Sequence, residues 1–204
     1  MNEKVRKLVT MAMLAALSIV LVYVIHFPIF PAASFLEYDP ADIPILIGTF
    51  AYGPLAGVLL TVVVSVIQGM TVSSGSGLMG IAMHIFATSI LVLVAGNIYR
   101  VKHTKKGAVL ALICGVLAMT AGMVVFNFIT PYFITPDLAD TAAVAANREF
   151  VKTLLVPVIV PFNLIKAGVN SVVTFLVYKT VSRHLVHGEN WKKEPGVKQA
   201  QPEQ

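Results

Sequence analysis

Long apolar runs separated by short polar segments dominate the sequence. The clearest are Leu8 to Phe27, Leu78 to Tyr99, Gly107 to Phe128 and Leu154 to Tyr178. As a helix rising about 1.5 Å per residue, each is long enough to cross roughly 30 Å of hydrocarbon. The pattern therefore predicts an all-α integral membrane protein.

A further apolar stretch, Ile43 to Gln68, is interrupted by Tyr52, Gly53 and Pro54. The interruption is compatible with one kinked helix or with two short helices joined by a turn. Two helices would give six spans in total. The first of the two would be only about 15 Å long, so we expect it to cross partway or to be shielded by its neighbours.

Basic residues decide between five and six spans, because loops rich in Lys and Arg stay in the cytoplasm. With six spans, all but three of the 15 Lys and Arg residues fall inside, at the amino terminus, in the loop 100–106 and in the carboxy-terminal tail. The exceptions are Arg148, Lys152 and Lys166, and the acidic residues expected to face outward are Glu37, Asp39, Asp42, Asp137, Asp140 and Glu149.

The predicted architecture is therefore six transmembrane helices with both termini in the cytoplasm. One transmembrane domain is expected over residues 1–186, and the polar tail 187–204 is expected to be disordered.

Composition agrees with a membrane protein and narrows the functional classes. The chain is 57% hydrophobic and only 12% charged, with 204 residues in all. Six spans leave no room for a nucleotide-hydrolysing domain, and no P-loop motif occurs, so any energy source must lie outside the chain. The net charge of +5 serves orientation and does not indicate nucleic acid binding. No catalytic motif or metal-ligand spacing is present, so neither an enzyme nor a metal site is expected.

Polar residues in the last apolar run lie on one side of the predicted helix. At 100° per residue, Asn163, Lys166, Asn170 and Thr174 form a stripe about 80° wide. A lysine near the membrane centre costs about 2.5 to 3.5 kcal/mol, so a partner must offset this cost. Either Lys166 pairs with a carboxylate or a helix-end carbonyl to stabilise the bundle, or the stripe lines a cavity whose ligand offers carbonyl and ring-nitrogen acceptors.

The segment between the first two helices carries a second group of polar candidates. Glu37, Asp39 and Asp42 can accept hydrogen bonds from hydroxyl groups, while Tyr38 can cover an apolar ligand face. In a purely structural interpretation, Asp39 or Asp42 caps the second helix. Asn127, before Pro131, is a third candidate ligand contact or, equally, a helix-end cap.

Small residues mark one face of the first helix. Ala12 and Ala16 are four residues apart, which lets another helix approach closely. The face is compatible with packing inside the chain or with a partner subunit.

These segments together resemble the substrate-binding S components of energy-coupling factor (ECF) vitamin transporters, most closely the riboflavin-specific S component. The most specific parts are Phe35 to Pro44, the break at Tyr52-Gly53-Pro54 with Gly57, Asn127 near Pro131, and Pro161 to Lys166 with Asn170. The resemblance implies a six-helix subunit in a bacterial cell membrane that captures riboflavin from outside.

The resemblance also implies partners and roles. The subunit would join a transmembrane coupling subunit, through Ala12 and Ala16, and two cytoplasmic ATPases, with riboflavin as the transported ligand and no cofactor. Flavin mononucleotide is a second candidate ligand. Flavin contacts carry over to Glu37, Asn127, Asn163 and Lys166. Chemistry and position add Tyr38, Asp39 and Asn170 to the predicted ligand-binding residues.

Two other classes of function remain open from the residues themselves. One is a self-sufficient secondary carrier of a small anionic solute, with Lys166 as its counter-charge. The other is a structural membrane subunit without a ligand, in which the polar stripe only holds helices together.

Overall fold

The computed structural model of the chain describes residues 2–33, 36–73, 75 and 77–181. The predicted disordered tail 187–204, and the end of the predicted domain after residue 181, lie outside the described residues. The helices are α1 (Glu3–Val24), α2 (Asp42–Tyr52), α3 (Pro54–Met70), α4 (Gly77–Val101), α5 (Lys105–Ile134), α6 (Thr141–Leu154) and α7 (Val160–Val181). A π-helical turn, Leu155–Ile159, joins α6 to α7 without a break.

The chain is a multi-pass membrane protein. Within the described residues, four continuous helical stretches are long and apolar enough to cross a membrane: α1, α4, α5 and the stretch Thr141–Tyr178 formed by α6, the π turn and α7. The shorter apolar helices α2 and α3 complete the set. The predicted number of six membrane helices is confirmed for the described part of the chain.

The break between α2 and α3 forms two helices, as the charge pattern predicted. Gly53 has a φ of 94°, a conformation that residues with a side chain rarely adopt. Pro54 then occupies the start of α3, where its missing N–H costs nothing. The short helix α2 is shielded, because every residue from Asp42 to Phe50 is buried among α1, α3, α4 and α7.

The segment between α1 and α2 contains two short strands. Phe27–Pro28 (β1) pairs antiparallel with Glu37–Tyr38 (β2), and the chain then enters the bundle instead of staying at its surface. Asp39 and Asp42 are therefore buried, at 3% and 0% exposure, and are not solvated in a surface loop. Their location on the outer side of the membrane stays a prediction from the charge pattern. Buried cationic and amide partners, described below, make this burial possible.

The last helix also begins earlier than the apolar run. α6 starts at Thr141, where the Asp140 side chain accepts a hydrogen bond from the backbone N–H of Ala143 and caps the helix. Hydropathy missed this amphipathic segment because it is exposed on most sides. The π turn contains Pro157, which lacks the N–H that a regular helix needs.

Contacts of aromatic residues show that the basic segments lie at one end of the bundle. Lys7 Nζ lies 5.6 Å from the Tyr52 ring centroid, next to the α2–α3 break. The rings of Tyr99 and Tyr178, near the ends of α4 and α7, both contact Phe50. The start of α1, the loop after α4 and the end of α7 therefore share one side, which the positive-inside rule assigns to the cytoplasm.

The close approach of α4 to the α2–α3 break leads to a stability prediction. A Cβ at Gly96 would lie 3.1 Å from Pro54 Cα, a backbone atom that cannot rotate away, whereas a Cβ at Gly168 in α7 would meet nothing within 4 Å. We expect Gly96→Ala to destabilise the protein by about 1 to 3 kcal/mol. Gly168→Ala, the control, should stabilise it by up to about 1 kcal/mol through helix propensity.

Thermal unfolding of the two variants in detergent checks this prediction. Equal shifts in Tm for the two alanine variants would contradict the close packing at Gly96.

Candidate functional site

Lys166 lies in the middle of the bundle and is paired with an acid. Its Nζ donates to Asp39 Oδ2 at 2.7 Å, and Lys166 is only 6% exposed. Asp39 also accepts hydrogen bonds from Gln68 Nε2 on Oδ2 and from the Ala41 backbone N–H on Oδ1, both at 3.1 Å. The cost of burying Lys166 is thus offset by a buried carboxylate that is itself hydrogen-bonded through both oxygens.

Asp42 holds the start of α2 against two other helices. Its Oδ1 accepts a hydrogen bond from Thr88 Oγ1 at 2.8 Å, and its Oδ2 accepts one from Asn170 Nδ2 at 3.2 Å. His84 Nε2 lies 3.7 Å from the same carboxylate. Asp42 does not cap α2. The residue at the cap position is Ala41, whose side chain makes no capping hydrogen bond. The two acids thus link the α1–α2 segment to α3, α4 and α7.

A cavity of about 120 Å³ adjoins the Lys166–Asp39 pair. It lies among the α1–α2 segment, α3, α4, α5 and α7. The polar residues that line it are Glu37, Asp39, Ser65, Gln68, Ser73, His84, Asn127, Asn163 and Lys166, and its apolar lining includes Leu36, Met83, Met119, Met123, Ile159 and Phe162. The wall can thus contact a flat apolar group and also offers hydrogen-bonding groups to the same ligand.

The two amides at the cavity are held by their own helices. Asn127 Nδ2 donates to the Met123 carbonyl and Asn163 Nδ2 to the Ile159 carbonyl, each at 2.8 Å. Both residues are buried. Each amide uses one of its two N–H groups on its helix, so its second N–H and its Oδ1 are available to a ligand in the cavity.

Tyr38 and Asn170, both predicted to bind ligand, are not among the residues that line this cavity. The Tyr38 hydroxyl donates to Asn170 Oδ1 at 3.0 Å, and Asn170 Nδ2 donates to the Asp39 carbonyl at 3.0 Å. Burial, with the charges of Asp39 and Asp42, raises the pKa of Tyr38 and keeps its hydroxyl protonated as a donor. Both residues therefore position the α1–α2 segment.

Four polar residues of the cavity were missed from the sequence, among them Ser73, which follows α3. Gln68 and Ser65 lie on α3, and His84 on α4, where its Nδ1 is 2.7 Å from Ser65 Oγ. Ser65 and Gln68 are three residues apart and so share a helix face, a polar pattern within an apolar helix that was available in the sequence. His84 gave no such signal, because its partners come from other helices.

The face of α1 that carries Ala12 and Ala16 remains uncovered. Both alanines are exposed, whereas Leu14, Ala15 and Ser18 are buried against the bundle. The alternative that this face packs inside the chain is therefore excluded for the described residues.

Fold and site together define an integral membrane protein of six helices with an internal cavity lined by polar and apolar groups, which is the architecture of a membrane-embedded binding subunit. A family profile described as "ECF transporter, substrate-specific component" matches residues 6–178. The chain belongs to this family, and it is a transport protein.

Relatives and a solved structure agree with this assignment. The chain is 31% identical over 182 residues to "Riboflavin transporter FmnP" of Bacillus subtilis (strain 168), covering 86% of this chain and 91% of the relative. It is 31% identical over 180 residues to "Riboflavin transporter RibU" of Staphylococcus aureus (strain TCH60), covering 88% and 92%. A structure described as "Structure and mechanism of the S component of a bacterial ECF transporter" superimposes with a TM-score of 0.70 at 30% identity, covering 88% and 96%.

Proposed function

We propose that this chain binds riboflavin in the cavity beside Lys166 and delivers it to the other subunits of an ECF transporter in a bacterial cell membrane. The observation that carries the proposal is the combination of Lys166, Asn127 and Asn163 on the wall of one cavity. The similarity to two riboflavin transporters, each over most of both chains, supports the same ligand.

The polar and the apolar residues of the cavity wall match the two kinds of surface on riboflavin. Its isoalloxazine ring is flat, with an apolar dimethylbenzene edge suited to Met119, Met123 and Phe162. Its pyrimidine edge carries acceptors for the Lys166 ammonium and for amide N–H groups. The ribityl hydroxyls can donate to the Glu37 carboxylate, the remaining acid of the cavity wall.

Charge favours riboflavin over flavin mononucleotide. Among the described residues that line the cavity, Lys166 is the single lysine, and there is no arginine. Asp39 already neutralises its charge. Glu37 adds a negative charge to the same wall, so a phosphate would enter without a free cation. We expect riboflavin to bind more tightly than its phosphate.

The rival functions fit the site less well. A carrier of an anionic solute needs a cation that is free to meet it, whereas Lys166 is paired with Asp39 at 2.7 Å. A structural subunit needs the ion pair but no cavity beside it. An absorbance spectrum of the purified protein, followed by mass analysis of the ligand released on denaturation, tests the proposal. A colourless protein whose Tm does not respond to added riboflavin would refute it.

Amide substitutions test the cavity. Asn127→Ala and Asn163→Ala should each weaken riboflavin binding by about 1 to 3 kcal/mol, because polar groups of the ligand lose their partner. Asn97 provides a matched control, since it makes the same bond to the carbonyl four residues earlier but lies outside the cavity wall. Quenching of riboflavin fluorescence gives the three affinities. Equal affinities in all three variants would contradict the site.

The exposed face of α1 is proposed to contact the coupling subunit. Ala12→Trp and Ala16→Trp should abolish copurification with that subunit, because a large side chain prevents close helix contact. Riboflavin affinity should be unchanged, since neither residue lines the cavity. Ala82→Trp, at an exposed alanine of α4, is the control. Normal assembly of the two α1 variants would reject this interface.

A further inference from the structure

A second cavity, of about 410 Å³, lies at the end of the bundle that carries the basic residues. It is formed by the α2–α3 break and by the last turn of α4 with the loop after it. Its lining includes Tyr52, Gly53, Pro54, Tyr99, Arg100 and His103. It shares no lining residue with the cavity beside Lys166, so the proposed riboflavin site leaves it unexplained.

The groups around this cavity favour an anion. Arg100 and His103 belong to its wall, and Lys7 lies 5.6 Å above the ring of Tyr52. Neither Lys7 nor Arg100 has a salt bridge to an acid of the described chain. The segments 2–7 and 100–106 contain one acidic residue, Glu3, and seven lysines and arginines. The positive charge at this end is therefore not balanced by the bundle itself.

Polar groups without partners lie at the same place. The buried hydroxyl of Tyr52 finds no hydrogen-bond partner in the described part of the chain. α3 begins at the cavity, and its cap residue Gly53 offers no side chain to the first backbone N–H groups. Such groups at the start of a helix favour a negatively charged oxygen.

An apolar path leads from the cavity along the membrane-facing side of α3. Leu55 belongs to the cavity wall and is 76% exposed, and Leu59, one turn further, is 61% exposed. Val62 and Val66 continue this exposed surface into the membrane. A ligand with an anionic head and apolar chains would contact both the cavity and the apolar side chains of α3. A free phosphate would contact the cavity alone.

We propose that this cavity binds the headgroup of an anionic phospholipid, with its acyl chains along α3. The basic segments place the cavity at the cytoplasmic surface of the membrane, where anionic lipids attract clustered Lys and Arg residues. The site is independent of riboflavin binding at the other cavity. The phosphate meets Arg100 and His103, and the start of α3 completes the contact.

Native mass spectrometry of the purified chain with phosphatidylglycerol and phosphatidylcholine in equal amounts tests the proposal. The double variant Arg100→Gln/His103→Gln removes the two basic side chains of the wall. Lys106→Gln, at an exposed residue outside the wall, removes one charge from the same end. We expect phosphatidylglycerol to be retained preferentially by the wild type and by Lys106→Gln. In the double variant, the ratio of bound phosphatidylglycerol to bound phosphatidylcholine should fall by about fivefold or more.

Two outcomes would overturn the proposal. Equal loss of preference in the double variant and in Lys106→Gln would mean that only the general charge of this end attracts lipid. Displacement of bound phosphatidylglycerol by inorganic phosphate would assign the cavity to a free anion. Riboflavin titration of the same preparations shows that each variant is folded, and its result bears on the other cavity alone.

Discussion

Replacing Lys166 by Met should lower the free energy of unfolding by about 3 to 5 kcal/mol, because Asp39 would remain as a buried, unpaired charge. The double variant Asp39→Asn/Lys166→Met should recover most of that loss. The amide introduced at position 39 can keep the bond from the Ala41 N–H, and Gln68 can turn its unpartnered Oε1 toward the new N–H groups. Thermal unfolding of the riboflavin-free proteins measures both effects.

Riboflavin affinity in the same two variants separates a binding role of Lys166 from a structural one. If the ammonium contacts the ligand, the double variant is stable but binds riboflavin more weakly by about 1 to 3 kcal/mol. If Lys166 only supports the bundle, the double variant binds as tightly as the wild type. The second result would remove Lys166 from the proposed site without changing the family assignment.

Replacing Asn170 by Leu should destabilise the chain by about 2 to 3 kcal/mol, because the lost amide donates to a carboxylate and to a backbone carbonyl that stay buried. The groups that lose a hydrogen-bond partner are Asp42 Oδ2, the Asp39 carbonyl and the Tyr38 hydroxyl. We also expect weaker riboflavin binding, although Asn170 is not on the cavity wall, since the α1–α2 segment would lose its anchor to α7.

Val169→Ala is the control for Asn170→Leu, because Val169 lies next to it on the lipid-facing side of α7. Unfolding and riboflavin titration of the two variants give the comparison. An Asn170→Leu protein with unchanged Tm and affinity would show that the segment is held by other contacts, such as the Lys166–Asp39 pair.

Membrane topology was accessible from the sequence because each apolar run needs only its own length and the charges that flank it. The break at Gly53 was visible as Tyr52-Gly53-Pro54, and the positive-inside rule selected two helices there. The stripe of Asn163 and Lys166 was visible as well, since helical periodicity alone places these residues on one face.

The partners of that stripe were not accessible in the same way. Asp39 meets Lys166 across 127 positions of sequence, and Asp42 meets Thr88 across 46. Neither pair leaves a periodic signal. The sequence placed Asp39 and Asp42 on the outer side of the membrane and suggested Asp39 as a ligand contact, but it did not indicate that both carboxylates are buried inside the bundle.

The amino-acid sequence alone determined that this is a membrane protein of six helices, which faces are polar, and which family it resembles, because hydropathy and periodicity are local properties of the chain. Only the tertiary structure decided that Lys166 is neutralised and still borders a cavity, and that Tyr38 and Asn170 position a segment of the chain. Those distinctions depend on which side chains meet when helices pack, and a buried charge is stable only beside the partner that packing brings to it.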